Sequence, residues 1–192
     1  MTSGAATSAD GVSDASHVSA VIVASSPERL HDSTSIAVSR ELGANGLAVS
    51  HYIATTTPDH PPDDSLDDWV DKADVFVDAV FALDAPALLA SRASVTARNP
   101  AAVFILVADQ VDGRTERAVR QADLVVVSDR TKPAVARMPL RAPMMDIPGS
   151  GDGEKPSGSW LAVLSRAVAI RTRAVGEVTD HLRSMAQQEG QI

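Results

Sequence analysis

Five short runs of apolar and β-branched residues recur along the chain: Val18 to Ala24, Leu47 to Ile53, Asp74 to Phe81, Ala101 to Ala108, and Asp123 to Val127. Helix-compatible stretches lie between them, and that alternation predicts a parallel sheet wrapped by helices. A further extended piece, Pro143 to Ile147, follows the fifth run. The expected architecture is therefore α/β, a Rossmann-like three-layer sandwich with a mostly parallel sheet of five or six strands. Sheets of this kind place ligands at the carboxyl ends of their strands, so the residues just after each run are where function is to be sought.

With 192 residues, one domain is the default. Residues 1–17 are mostly Ser, Ala, Thr, Gly and Asp, with no basic side chain before His17, and read as a disordered tail. They carry neither the positive start and apolar centre of a secretory signal nor the arginines of a transit peptide. Residues 18–148 form the α/β domain, 149–158 a flexible joint rich in Gly, Pro and Ser, and 159–187 a long amphipathic helix. No apolar stretch approaches the roughly 18 residues that span a bilayer, so no transmembrane segment is expected and a cytoplasmic location is. The 25 acidic side chains against 17 basic ones leave a formal charge of -8, which argues against a grip on duplex nucleic acid. The chain has no cysteine, which excludes disulfides, thiolate metal sites and thiol nucleophiles.

Local chemistry fixes the elements between the runs. After Ala24 the chain enters Ser25-Ser26-Pro27-Glu28-Arg29-Leu30-His31. Asp32 or Ser33 fits as the N-cap of a helix through Leu42, because a short oxygen side chain accepts the free amides of the first turn. Gly43 to Gly46 ends that helix with the left-handed geometry that Gly and Asn tolerate. Thr55 to Asp64, with three prolines, reads as loop, and Ser65 to Asp68 as a capping box opening a short helix through Lys72. Asp84 is a cap with Pro86 in the first turn of a helix to about Ala97. Thr115 to Gln121 reads as a polar helix, and another helix with Pro133 near its start follows Ser128-Asp129-Arg130.

Beyond the joint, Leu161, Leu164, Val168, Val175, Val178, Leu182 and Met185 fall at alternating spacings of three and four, with Arg171 alone breaking the register. That stripe predicts one long helix. It either docks on the domain's own sheet or associates with a protein partner or a second copy as a coiled coil. Arg166, Arg171, Arg173 and Arg183 make it the most basic part of an acidic chain.

The candidate ligand residues cluster after the strands. Ser25, Ser26, Asp32, Ser33 and Thr34 lie where a helix amino terminus offers amides to an anion, so a small phosphorylated ligand fits there, although the loop lacks the glycines of a Walker or dinucleotide loop. Asp84, Asp109 and Asp129 follow the third, fourth and fifth strands and, if they converge, can hold magnesium or act as a general base; Asp109, Ser128 and Asp129 complete the candidate binding set. Asp78 is the carboxylate best placed to be trapped near the core or at a strand end. His17, His31, His51, His60 and His181 show no zinc-ligand spacing, so no metal centre is expected, though His31 and His51 can both face the cleft. Gly149-Ser150-Gly151 lacks the spacing of a nucleophile elbow. Tyr52, Trp69, Phe76, Phe81, Phe104 and Trp160 are too few and too strand-bound for a stacking platform on single strands.

Two stretches carry a family likeness. Val21 to Pro27 followed by Asp32-Ser33-Thr34 and a helix to Leu42, then Ala118 to Ser128 with its Ala-Asp before a valine strand, resemble the amino-terminal, acceptor-side domain of GT-B glycosyltransferases, and Met145 to Gly149 sits where that family has a short strand before its domain crossover. The resemblance covers about residues 18 to 152. It implies a Rossmann-like domain that binds an acceptor. The family's donor domain and its pair of glutamates have no counterpart here, so the resemblance implies a ligand-binding or partner-dependent subunit that does not transfer sugar alone. Pro58-Asp59, Asp63-Asp64 and Ala73-Asp74-Val75 are similar to molybdopterin-binding proteins of molybdenum cofactor synthesis, whose Gly-Gly-Thr-Gly turn is missing. A flavodoxin-like FMN protein would use Ser25, Ser33 and Thr34 for phosphate. A non-catalytic interaction protein working through the last helix is the remaining alternative.

Overall fold

The computed structural model describes residues 18–54, 77–148 and 158–189, with side chains as far as residue 180. The tail, the loop and capping box between Thr55 and Lys72, and nearly all of the joint lie outside the described residues.

Six strands form one sheet: β1 (Ser19–Ala24), β2 (Ala48–Ile53), β3 (Ala79–Ala82), β4 (Val103–Ala108), β5 (Leu124–Val127) and β6 (Met144–Asp146). Their order is β2-β1-β3-β4-β5-β6, and every neighbouring pair is parallel. The helices are α1 (Pro27–Leu30), α2 (Ser33–Ala44), α3 (Ala85–Arg98), α4 (Thr115–Val119), α5 (Lys132–Val135) and α6 (Trp160–Glu189). The run 2-1-3-4-5 is the flavodoxin-like doubly wound order, in which the connections change direction between β1 and β3. The crevice outside the carboxyl ends of those two strands is then the place where such sheets hold ligands.

The valine-rich runs become strands because both sheet faces are covered. Every residue of β1, β3, β4 and β5 is buried. Along β1, Val21 and Val23 face the layer of α3, α4 and α5, where Leu88, Val95, Val119 and Val135 complete the core. Ala20, Ile22 and Ala24 face the opposite layer, built by Val38 and Leu42 of α2 and by Trp160, Val163, Leu164 and Ala167 of α6. Strand β2 at one edge is only half-covered.

The expected caps are in place. Asp32 accepts from the Ser35 amide at 2.8 Å, and Asp84 from the Ala87 amide at 2.8 Å. Helix α2 closes through the Leu47 amide on the Leu42 carbonyl at 3.2 Å, which requires Gly46 at φ 82°. Several boundaries differ from the sequence reading, among them the end of α2 at Ala44. Strand β3 is Ala79–Ala82, with the Asp78 amide already donating to the Ser19 carbonyl at 2.9 Å and its Oδ2 accepting the Ser19 amide at 2.9 Å, while residues 74–76 of the third run lie outside the described residues. The Ser25 to His31 stretch, read as a connection, holds the single turn α1, with Pro27 in its first turn. Helix α4 stops at Val119.

The stripe on α6 divides in two. Trp160, Val163, Leu164 and Ala167 are buried, and the Trp160 ring meets Phe81 edge-on with centroids 6.3 Å apart. The docked face is therefore set by Trp160 and Val163, one position off the sequence stripe at its start. Val168, Val175 and Val178 are 45, 47 and 60 % exposed, and every residue from 172 to 180 is exposed. Arg171, the break in the stripe, is the last anchor: it donates to the Pro100 carbonyl at 2.6 Å and lies 3.6 Å from Asp123. At 30 residues and 1.5 Å each, α6 runs about 45 Å, so its outer half projects past the sheet. Among the described residues, no helix is long and apolar enough to cross a membrane.

Candidate functional site at the carboxyl edge of the sheet

The carboxyl ends of β1 and β3 are tied together by Asp84. Its Oδ2 accepts both the Ser25 amide and the Ser25 hydroxyl at 2.9 Å, while its Oδ1 caps α3. One carboxylate thus fixes the exit of β1 and the start of α3.

Arg29, on α1, projects over the same crevice. It grips Asp109 at the end of β4 in a two-pronged pair at 2.7 and 2.5 Å, donates to the Leu83 carbonyl at 3.1 Å and lies 3.5 Å from Asp32. The hydrogen bonds it donates to Asp109 hold the guanidinium above its ordinary pKa against the opposing effect of burial, with the charges of Asp109, Asp32 and Asp84 adding to it. Where the sequence offered converging carboxylates as a magnesium site or a general base, Asp109 is paired instead with the protein's own arginine. The three carboxylates are Asp32, Asp84 and Asp109 in place of Asp84, Asp109 and Asp129. Asp129 is exposed. Among the described residues, no group of three or more His, Cys, Asp or Glu side chains is arranged to hold a metal ion.

The remaining candidates divide as follows. Ser26 sits at the N-cap of α1 in extended backbone without a side-chain bond to the first-turn amides, and its side chain instead hydrogen-bonds Glu28, whose pKa this lowers. Ser33 is exposed and Thr34 half-buried on the first turn of α2. Ser128 exchanges hydrogen bonds with Thr131, whose hydroxyl also donates to the Ala108 carbonyl at 2.5 Å and so joins the ends of β4 and β5. Beside this joint, Asp109, Gln110, Val111, Arg130, Thr131 and Ala134 line an open groove of about 410 Å³. Arg29 and Thr131 organise the edge, and neither was singled out from the sequence. Their signal was positional, a lone basic residue in the first post-strand loop and a threonine three residues after Ser128.

His31 and His51 do come together. They line a second groove of about 440 Å³ with Leu30, Ser35, Ile36, Ser39 and Arg40, between α2 and the β2 edge. His31 Nδ1 is 2.8 Å from the Pro27 carbonyl. Partial burial, with His31 nearby, lowers the His51 pKa. Asp78 lies half-buried at the opposite, amino-terminal edge of the sheet, far from this chemistry. There it lines a groove of about 360 Å³ with Val18, Asn99, Val168, Arg171 and Thr172.

No protein-family model matches the chain, and no curated protein matches its sequence.

Proposed function

We propose that the chain is a glycosyltransferase-like, acceptor-side module that binds a small hydroxyl-rich molecule at the carboxyl edge of its sheet. The observation that carries this reading is the Arg29–Asp109 pair beside the groove of Gln110, Arg130 and Thr131. A carboxylate held flat by a guanidinium keeps lone pairs for ligand hydroxyls, while Gln110 and Arg130 supply donors. Carboxylates of Asp32, Asp84 and Asp109 around the loop after β1 weigh against a phosphate there, and hence against the FMN and phosphorylated-ligand alternatives. Melting temperature across neutral sugars and polyols, nucleotides, sugar nucleotides and FMN tests the reading. Stabilisation by the hydroxyl-rich compounds, lost in Arg130→Ala, is the expected result; stabilisation by FMN or nucleotides alone overturns it.

A second reading, an interaction module working through α6, is favoured by the exposed valines on its projecting half.

A further inference from the structure

The groove between α2 and the edge strand β2 holds a hydroxyl that the fold leaves unpaired. Serine inside a helix ordinarily bonds a carbonyl of the preceding turn, as the fully buried Ser91 does by donating to the Ala87 carbonyl at 2.8 Å and the Leu88 carbonyl at 3.3 Å. Ser35 on α2 is equally buried, yet its Oγ has no hydrogen-bond partner. Leaving a buried hydroxyl unsatisfied is costly, and this one stands in the wall of a groove of about 440 Å³.

The rest of that wall has the make-up of a small-molecule site, apolar with a few polar groups. Ser35 and Ser39 stack four residues apart on one side of α2, Ile36 and Arg40 stack beside them, and Leu30, His31 and His51 complete the lining. Charge decides what fits. Among the described residues no carboxylate pairs with Arg40 and no Asp or Glu lines the groove, so one permanent positive charge is unmatched there. Glu28 and Asp32, the acidic residues beside His31 in sequence, are engaged with Ser26 and with the Ser35 amide. Partial burial, with His31 nearby, keeps His51 toward its neutral form, in which it offers a hydrogen bond and not a second full charge. A single negative charge is thus matched, and a double one is not. Next to that charge, Leu30 and Ile36 present apolar surface, Ile36 being 48 % exposed. The groove shares no lining residue with that of Gln110, Arg130 and Thr131.

We propose that this groove is a second ligand site, taking a small organic monocarboxylate whose charged end meets Arg40, Ser35 and His51 and whose hydrocarbon arm lies on Leu30 and Ile36. It stands independently of the reading of the carboxyl edge. The full chain tests it with hexanoate as the probe, against acetate, 1-hexanol and inorganic phosphate, by calorimetry and by the imidazole resonances of the five histidines. Hexanoate should bind saturably at about 1 mM or below and move the His31 and His51 resonances, leaving those of His17, His60 and His181 in place. Acetate and 1-hexanol should each bind about 10-fold more weakly or worse, because each lacks one end of the contact. Arg40→Ala, at an exposed position, should weaken hexanoate on the order of 10-fold. Ser35→Ala should weaken it several-fold while leaving the melting temperature of the unliganded chain unchanged or raised, since it deletes a hydroxyl that the fold does not satisfy. Phosphate binding more tightly than hexanoate overturns the monocarboxylate assignment. No movement of the His31 and His51 resonances at about 10 mM hexanoate, or binding indifferent to Arg40→Ala, overturns the site itself.

Discussion

The carboxyl edge of the sheet and the outer half of α6 solve opposite problems. At the edge, charges that would be costly to leave apart are matched within the chain: Arg29 answers Asp109 and Asp32, and Asp84 answers Ser25 and the first turn of α3. On α6 the same chain exposes valines for which the described fold provides no cover. The edge is thus organised before any ligand arrives, whereas the helix is organised only as far as Arg171. Preorganisation of this kind suits recognition of a small molecule, and an unpaired apolar face suits recognition of a surface.

The contrast is broken most easily where the helix leaves the core. Trp160→Ala should cost about 4 kcal/mol in denaturant unfolding, because it empties a site filled against Phe81 and under the sheet. A cost below about 1 kcal/mol would mean that even the inner half of α6 is dispensable to the domain. Next comes the edge: Arg29→Ala leaves Asp109 and Asp32 without their cation in a partly buried setting and should cost about 2 kcal/mol. Arg29→Lys should recover only part of this, since an ammonium cannot pair with both oxygens in one plane. Full recovery by lysine would reduce the edge to simple charge balance.

Much of the fold was legible in the sequence because its causes are local. The valine runs, the Asp32 and Asp84 caps and the turn at Gly46 all rest on neighbours within a few residues. The site was less so. Asp109 and Ser128 lie at the carboxyl edge, as their places after strands imply, but Arg29 reaches its partner across eighty residues, and nothing local distinguishes it from a solvated arginine. Asp129, also placed after a strand, is exposed, since position after a strand does not fix direction. On α6 the three-four spacing identified the helix correctly and its docked face incompletely. A spacing describes a face of a cylinder, and the sheet beneath decides how long that face stays covered.

Smaller effects sharpen the comparison further. The folded-state pKa of His51 lies below the ordinary 6.5, chiefly through partial burial. As pH falls below the unfolded value, the unfolded chain binds a proton that the folded chain resists, so stability present above pH 6.5 drains away as pH falls toward the folded pKa. The loss of melting temperature between pH 7 and pH 5.5 should therefore be smaller in His51→Gln than in the native chain. An equal loss in both would place His51 in open water, away from the groove it lines with His31.

The smallest expected effect carries the most pointed test of the outer helix. Arg173 and Glu177 are 83 and 70 % exposed, and an exposed pair at this spacing contributes a few tenths of a kcal/mol at most, less with the cation on the amino-terminal side. Arg173→Ala should shift stability by about 0.3 kcal/mol or less, and 0.5 M salt should erase the difference. A loss above about 1 kcal/mol at Arg173 would show instead that this exposed face of α6 is covered in solution.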